Sequence, residues 1–127
     1  MNACAILAVG VGASLGAWLR WALGNFLNST LPTLPLGTLA ANLLGGFLVG
    51  TAVEYFSHHT NVPPEIRLLI ITGFLGGLTT FSTFSAETVN LLSRAQYGWV
   101  SAIIVSHVCG SIAMTVLGIY TIRWLQV

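Results

Sequence analysis

The chain has 127 residues, of which 55% are hydrophobic and 6% charged, with a formal net charge of +1. A soluble domain carries about 25% charge, so an aqueous fold is excluded, and a nearly neutral chain offers no basic patch for nucleic-acid phosphates. Four apolar runs, at about Ala3 to Leu27, Leu36 to Ser57, Glu65 to Ser93 and Gly98 to Trp124, each reach the roughly 20 residues a helix needs to cross a hydrocarbon core. They use nearly the whole chain, so the expectation is an all-α membrane protein with one integral domain over residues 1–127 and the lipid bilayer as its solvent.

Met1-Asn2 supplies no positive start for a cleaved signal peptide, and the apolar run that follows is too long for one. Within it Gly12, Gly16, Arg20 and Gly24 recur every fourth residue and so share one helix face, where a second helix can approach closely. Arg20 sits beside Trp18 and Trp21. Its simpler reading is an arginine that snorkels to the membrane surface; the other is an internal arginine that orders a vestibule. Asn28 to Pro35 is polar and proline-containing, a short loop outside the hydrocarbon. Cys4 and Cys109 lie in different runs without a CxxC pattern and read as small packing residues.

In the second run Thr38, Asn42, Gly46 and Gly50 form an i, i+4 row that ends near Glu54. A mid-membrane amide is costly unless paired, so Asn42 either joins two helices or donates its NH2 to something in transit. His58 and His59 are adjacent without a third ligand, weak evidence for a metal.

Pro63-Pro64-Glu65 opens the third run with a helix-start signal. The stretch Gly73 to Glu87 then departs from an ordinary span. Three glycines followed by Thr79 and Thr80 weaken the helix, because glycine carries a backbone entropy cost and threonine is stiff at χ1. A break at membrane depth is tolerated only where it is buried in protein or lines a polar cavity, which makes this segment the candidate ion or solute site. Beyond it Phe81, Phe84, Ser85 and Thr88 share a face, Thr83 and Glu87 lie roughly opposite, and Ser82 lies between. No wide face remains for lipid, so protein or a wet pathway should surround this half-helix. In the fourth run His107, Ser111 and Thr115 form another i, i+4 row, with His107 read first as a core histidine bonded to a neighbour.

All four positive charges are arginines. With four spans Arg67 and Arg123 fall on the side of the termini and Arg20 and Arg94 on the other, so the Lys/Arg bias that orients membrane proteins is absent. Insertion both ways is expected, with a homodimer of opposite orientations as the smallest working unit.

Three motifs now stand out: GASLGAWLRW (Gly12 to Trp21), GTLAANLLGG (Gly37 to Gly46) and GFLGGLTTFSTFSAE (Gly73 to Glu87). Together they resemble the Fluc, or CrcB, family of fluoride channels, over essentially the whole chain. The resemblance implies an antiparallel dual-topology homodimer of four-helix subunits, the third helix broken at mid-membrane and two narrow pores. It also implies passive release of toxic cytoplasmic fluoride across a bacterial inner membrane. Residue by residue it makes Phe81 and Phe84 pore-lining phenylalanines that face fluoride, and Asn42 the pore asparagine. Ser82 and Thr83 resemble a hydroxyl track beside the pore, with Ser111 and Thr115 as further members. Glu87 matches an acidic residue toward a vestibule, for which Arg20 is the second candidate. Gly76 and Thr79 match positions whose backbone carbonyls, one set from each subunit, hold a structural Na+ at the dimer interface. His107 stands where some members of that family have a smaller polar residue, so the resemblance carries no role over to it.

Elementary physics suits these assignments. Fluoride is small and strongly hydrated, so a dry pore must replace water's hydrogens with other partial positive charge, and aromatic edges, an amide and hydroxyls all offer it. Two rival readings remain: a small multidrug exporter, which also pairs oppositely oriented four-span subunits, and a non-transporting membrane assembly subunit. The first run lacks the central acid of such exporters, and glycine packing alone leaves the polar third run unexplained. No triad, metal-ligand cluster or phosphate loop argues for an enzyme.

Overall fold

The structure, a computed structural model, describes residues 1–126. Helix α1 covers Ala3–Leu27, α2 Leu36–His58 and α6 Tyr97–Leu125, while the third span, Pro64–Ser93, is composite. It starts as α3 (Pro64–Arg67), widens into π-helical i→i+5 bonding over Leu68–Leu75, and tightens again in α4 (Gly76–Leu78). Thr79 and Thr80 are extended, with φ, ψ of −82°, 152° and −149°, 112°, and the helix resumes as α5 (Phe81–Ser93). Four stretches are thus long and apolar enough to cross a membrane, and the observed ends lie within one residue of those read from the runs.

Local chemistry sets the ends. Asn2 caps α1 through Oδ1, which accepts from the Ala5 N–H at 2.7 Å. Pro64 occupies the first position of α3, where its missing N–H has no partner to lose. The turn into α6 carries Ala95 at φ 54°, with Ala95 N donating to the Leu92 carbonyl and Gln96 N to that of Leu91, each at 3.0 Å. That pairing closes the last turn of α5 around a left-handed residue that is not glycine.

Close backbone approach joins the spans in two pairs. A Cβ on Gly12 would strike the Leu69 carbonyl and one on Gly16 the Phe74 carbonyl, so α1 lies directly on the first half of the third span. Likewise Gly46, Gly50 and Gly118 bring α2 and α6 together, a Cβ on Gly50 meeting the Thr115 carbonyl and one on Gly118 that of Phe47. Few side chains are sealed inside. Ala41, Leu75 and Leu78 form one small core and Phe84, Leu91 and Ile103 another, whereas Trp18, Trp21 and Trp124 are exposed on the subunit, as residues that meet lipid are. Cys4 and Cys109 are free and exposed on the subunit, so any packing they provide lies on its outer face.

Candidate functional site

The interruption at Thr79 and Thr80 is held open by one side chain of the neighbouring helix. An extended residue presents its own N–H and C=O on the same side, and the Asn42 amide meets both. Thr80 N donates to Asn42 Oδ1 at 2.7 Å, and Asn42 Nδ2 donates to the Thr80 carbonyl at 3.0 Å. The amide therefore replaces the two helical bonds that Thr80 gives up, and the buried backbone stays satisfied. The Thr80 hydroxyl then caps α5 by accepting from Thr83 N at 3.1 Å.

Diverting those donors frees acceptors. In a continuous helix the Gly76 carbonyl would receive the Thr80 N–H and the Thr79 carbonyl the Thr83 N–H. Those N–H groups go instead to Asn42 Oδ1 and Thr80 Oγ1. Gly77, between them, has its carbonyl engaged by Arg20 Nε at 2.9 Å. Arg20 thus turns inward through Nε and does not simply snorkel to the surface. A charge-assisted bond to the carbonyl end of a half-helix satisfies an orphan acceptor and complements its dipole.

Beside the interruption runs an open groove of about 490 Å³ whose lining is mostly apolar. Gly76, Thr79, Phe81 and Phe84 border it from the third span, Asn42 from α2, and His107 and Ser111 from α6. The two phenylalanine rings meet edge to face, with centroids 5.4 Å apart and planes at 67°. Their exposures differ sharply: Phe84 is 7% exposed and stacks on the His107 ring at 4.7 Å, whereas Phe81 is 76% exposed. Asn42 Nδ2 also lies 3.0 Å from His107 Nδ1, so the amide links the interruption, α2 and α6.

The sequence profile of the family described as CrcB-like protein, Camphor Resistance (CrcB), matches residues 7–119. A protein of Nitrosospira multiformis named Fluoride-specific ion channel FluC is 65% identical over 125 residues, 98% of each chain. Proteins of the same name from Pseudomonas aeruginosa and Nitrosomonas europaea are 56% identical over 94% of each chain and 54% identical over 95% of each chain. The chain belongs to the CrcB family.

In this CrcB chain the site residues expected from the sequence divide into groups. Asn42, Phe81, Phe84, Ser111, Gly76 and Thr79 converge on the groove. Thr115 does not join them: its hydroxyl donates back to the Ser111 carbonyl at 2.9 Å, one turn along α6. Ser82 and Thr83 bond the Thr80 hydroxyl, at 3.3 Å and 3.0 Å. Thr83 lines a separate cleft of about 260 Å³ with Arg20, Thr38 and Thr80.

Arg20 and Glu87 do not share a cavity, since Glu87 borders a third, smaller cleft with Arg94. Thr38 connects them, lining the Arg20 cleft and donating its hydroxyl to Glu87 Oε1 at 2.6 Å. The protein shell expected around α5 is also incomplete within one subunit, because Phe81 and Val89 stay exposed, the latter at 63%.

Two residues gain importance that the sequence did not give them. Thr80 lines both the groove and the Arg20 cleft, and its backbone is what Asn42 holds. His107, read as a bonded core histidine, is bonded on one side only, and its Nε2 is buried without a hydrogen-bond partner. The i, i+4 row on α6 pointed toward His107; nothing in the sequence separates Thr80 from Thr79.

The freed carbonyls of Gly76 and Thr79 are hard oxygen donors at the end of a half-helix, a donor set that fits an alkali cation better than a transition metal. Among the described residues no group of three or more His, Cys, Asp or Glu side chains is placed to hold a metal ion.

Proposed function

We propose that this chain is a passive, selective fluoride channel that releases cytoplasmic fluoride across a bacterial inner membrane. The observation that carries the proposal is the 65% identity, over 98% of both chains, to a protein named as a fluoride-specific ion channel. The groove supports it. Its lining is largely apolar, while the ring edges, the Ser111 hydroxyl and the imidazole along it offer partial positive charge to a small anion.

In this reading the working unit is an antiparallel dimer with two pores. Arg67 and Arg123 lie toward one end of the spans and Arg20 and Arg94 toward the other, a balance that permits insertion in both directions. The exposed Phe81 and Val89 leave α5 with a flank that a second copy would cover. Gly76 and Thr79 of each subunit would hold Na+ through their carbonyls at the subunit interface, and the ion would add a fixed positive charge near the pores. The interruption at Thr79 and Thr80 is, on this account, the mid-membrane break of the third span.

Purified protein in liposomes with a fluoride electrode tests the function. Rapid uncoupled fluoride efflux with little chloride efflux is expected; retention of fluoride would leave a structural membrane subunit as the better reading. Assembly has its own test. Several lysines added to one loop should lock the orientation and abolish activity when that form is expressed alone, and full activity of the locked form would overturn antiparallel pairing.

A further inference from the structure

Asn42 has no freedom in its orientation. The Thr80 N–H donates to it at 2.7 Å, and a backbone N–H requires an acceptor, so the amide oxygen faces Thr80 and the O/N assignment follows from chemistry. Nδ2 is then left with the Thr80 carbonyl and His107 Nδ1, each at 3.0 Å. An amide nitrogen donates and does not accept. His107 Nδ1 must therefore be the acceptor, and the neutral ring carries its proton on Nε2.

That proton has nowhere to go within the subunit. Among the described residues no group accepts from Nε2, although the atom is buried and the residue is only 4% exposed. Stacking on Phe84 fixes the ring plane, and the ring forms part of the groove wall. Buried donors without acceptors are rare in native structures and call for an explanation.

We infer that His107 Nε2–H is the donor that meets fluoride in this groove, and that Asn42 acts through it as a positioning residue that selects the tautomer; the inference rests on the channel reading above. Fluoride only accepts hydrogen bonds, so it complements a lone N–H that has no acceptor beside it. The donor is neutral, which matters for conduction: an ion must bind well enough to enter and weakly enough to leave. With both amide hydrogens engaged, Asn42 shapes the path without itself contacting the ion in this arrangement.

The decisive experiment uses the unaltered protein, 15N-labelled at histidine and reconstituted in lipid, with NMR at neutral pH. The expected result is a His107 ring protonated at Nε2 and bare at Nδ1, whose Nε2–H proton shifts downfield on adding fluoride and not on adding chloride. A proton on Nδ1 overturns the inference. So does an Nε2–H signal indifferent to fluoride, which would mean that the partner subunit or water supplies the acceptor.

Flux through substituted protein gives a second readout. Gln places its amide nitrogen near Nε2 and Asn places its own near Nδ1, so His107→Gln should conduct within about threefold of the unaltered protein while His107→Asn falls at least about tenfold. The reverse order contradicts the donor role. Unaltered protein that passes no fluoride overturns the channel reading itself, whereas a conducting protein with an unresponsive Nε2–H overturns the donor alone.

Discussion

The third span is gripped in two places by two different means. Its first half lies against α1 through glycines, backbone on backbone, at Gly12, Gly16, Gly73 and Gly77. Its interruption is held by α2 through a single amide, Asn42, with α6 contributing His107 behind it. The first grip tolerates no added atom at those glycines, with Arg20 reaching the Gly77 carbonyl at its end; the second is made of side-chain hydrogen bonds and leaves a groove open beside it. One region sets the depth and tilt of the span, and the other sets what an ion would encounter.

Substitutions can break the two grips separately. The largest effect is expected from Gly16→Val, whose added atoms collide with the Phe74 carbonyl in a place where neither backbone can give. A loss of about 3 kcal/mol is expected from overpacking of this kind, seen as little folded protein on size exclusion in mild detergent. Next comes Asn42→Ala. It leaves the Thr80 N–H and C=O without partners and should cost about 2 kcal/mol, with fluoride efflux from liposomes reduced at least about tenfold while the α1 contact survives. A variant that conducts normally would show that the amide does not hold the interruption.

Smaller effects mark the regions outside both grips. Ala95→Gly relieves the left-handed conformation at φ 54° and should stabilise the protein by about 1 kcal/mol, raising the thermal midpoint without altering flux. Arg123 binds Glu54 at 2.8 Å and so joins α6 to α2 far along the helices from the groove. Arg123→Gln should lower the thermal midpoint slightly and leave the fluoride efflux rate unchanged. A large loss of efflux there would mean that the ends of the spans are coupled to the groove.

The sequence revealed the first grip more completely than the second. The i, i+4 glycine rows of the first two runs are local periodicities, and both land where helices touch. The interruption was legible as a weakness, because Gly-Gly-Leu-Thr-Thr is a poor helix, and Asn42 was legible as an amide in need of a partner.

That the two satisfy one another was not legible, since the pairing spans 38 residues and depends on how closely α2 lies to the third span. The π-helical turns of Leu68–Leu75 left no signal either. LLIITGFL contains no proline or charge, and its widened bonding arises where the Leu69 carbonyl and the Phe74 N–H abut Gly12. Arg20 was legible only as a choice between snorkelling and turning inward, because its acceptor, the Gly77 carbonyl, becomes available only where the helix gives out.

Phe84 is where packing meets the proposed path, since it is buried, stacked on His107 and part of the groove wall. Efflux from liposomes carrying Phe84→Ile, with the dimer confirmed by size exclusion, tests the central claim most directly. Isoleucine keeps an apolar side chain but removes the ring edge, so fluoride should stay inside the vesicles while the protein remains assembled. Fluoride leaving as fast as through the unaltered protein would contradict a path along this groove.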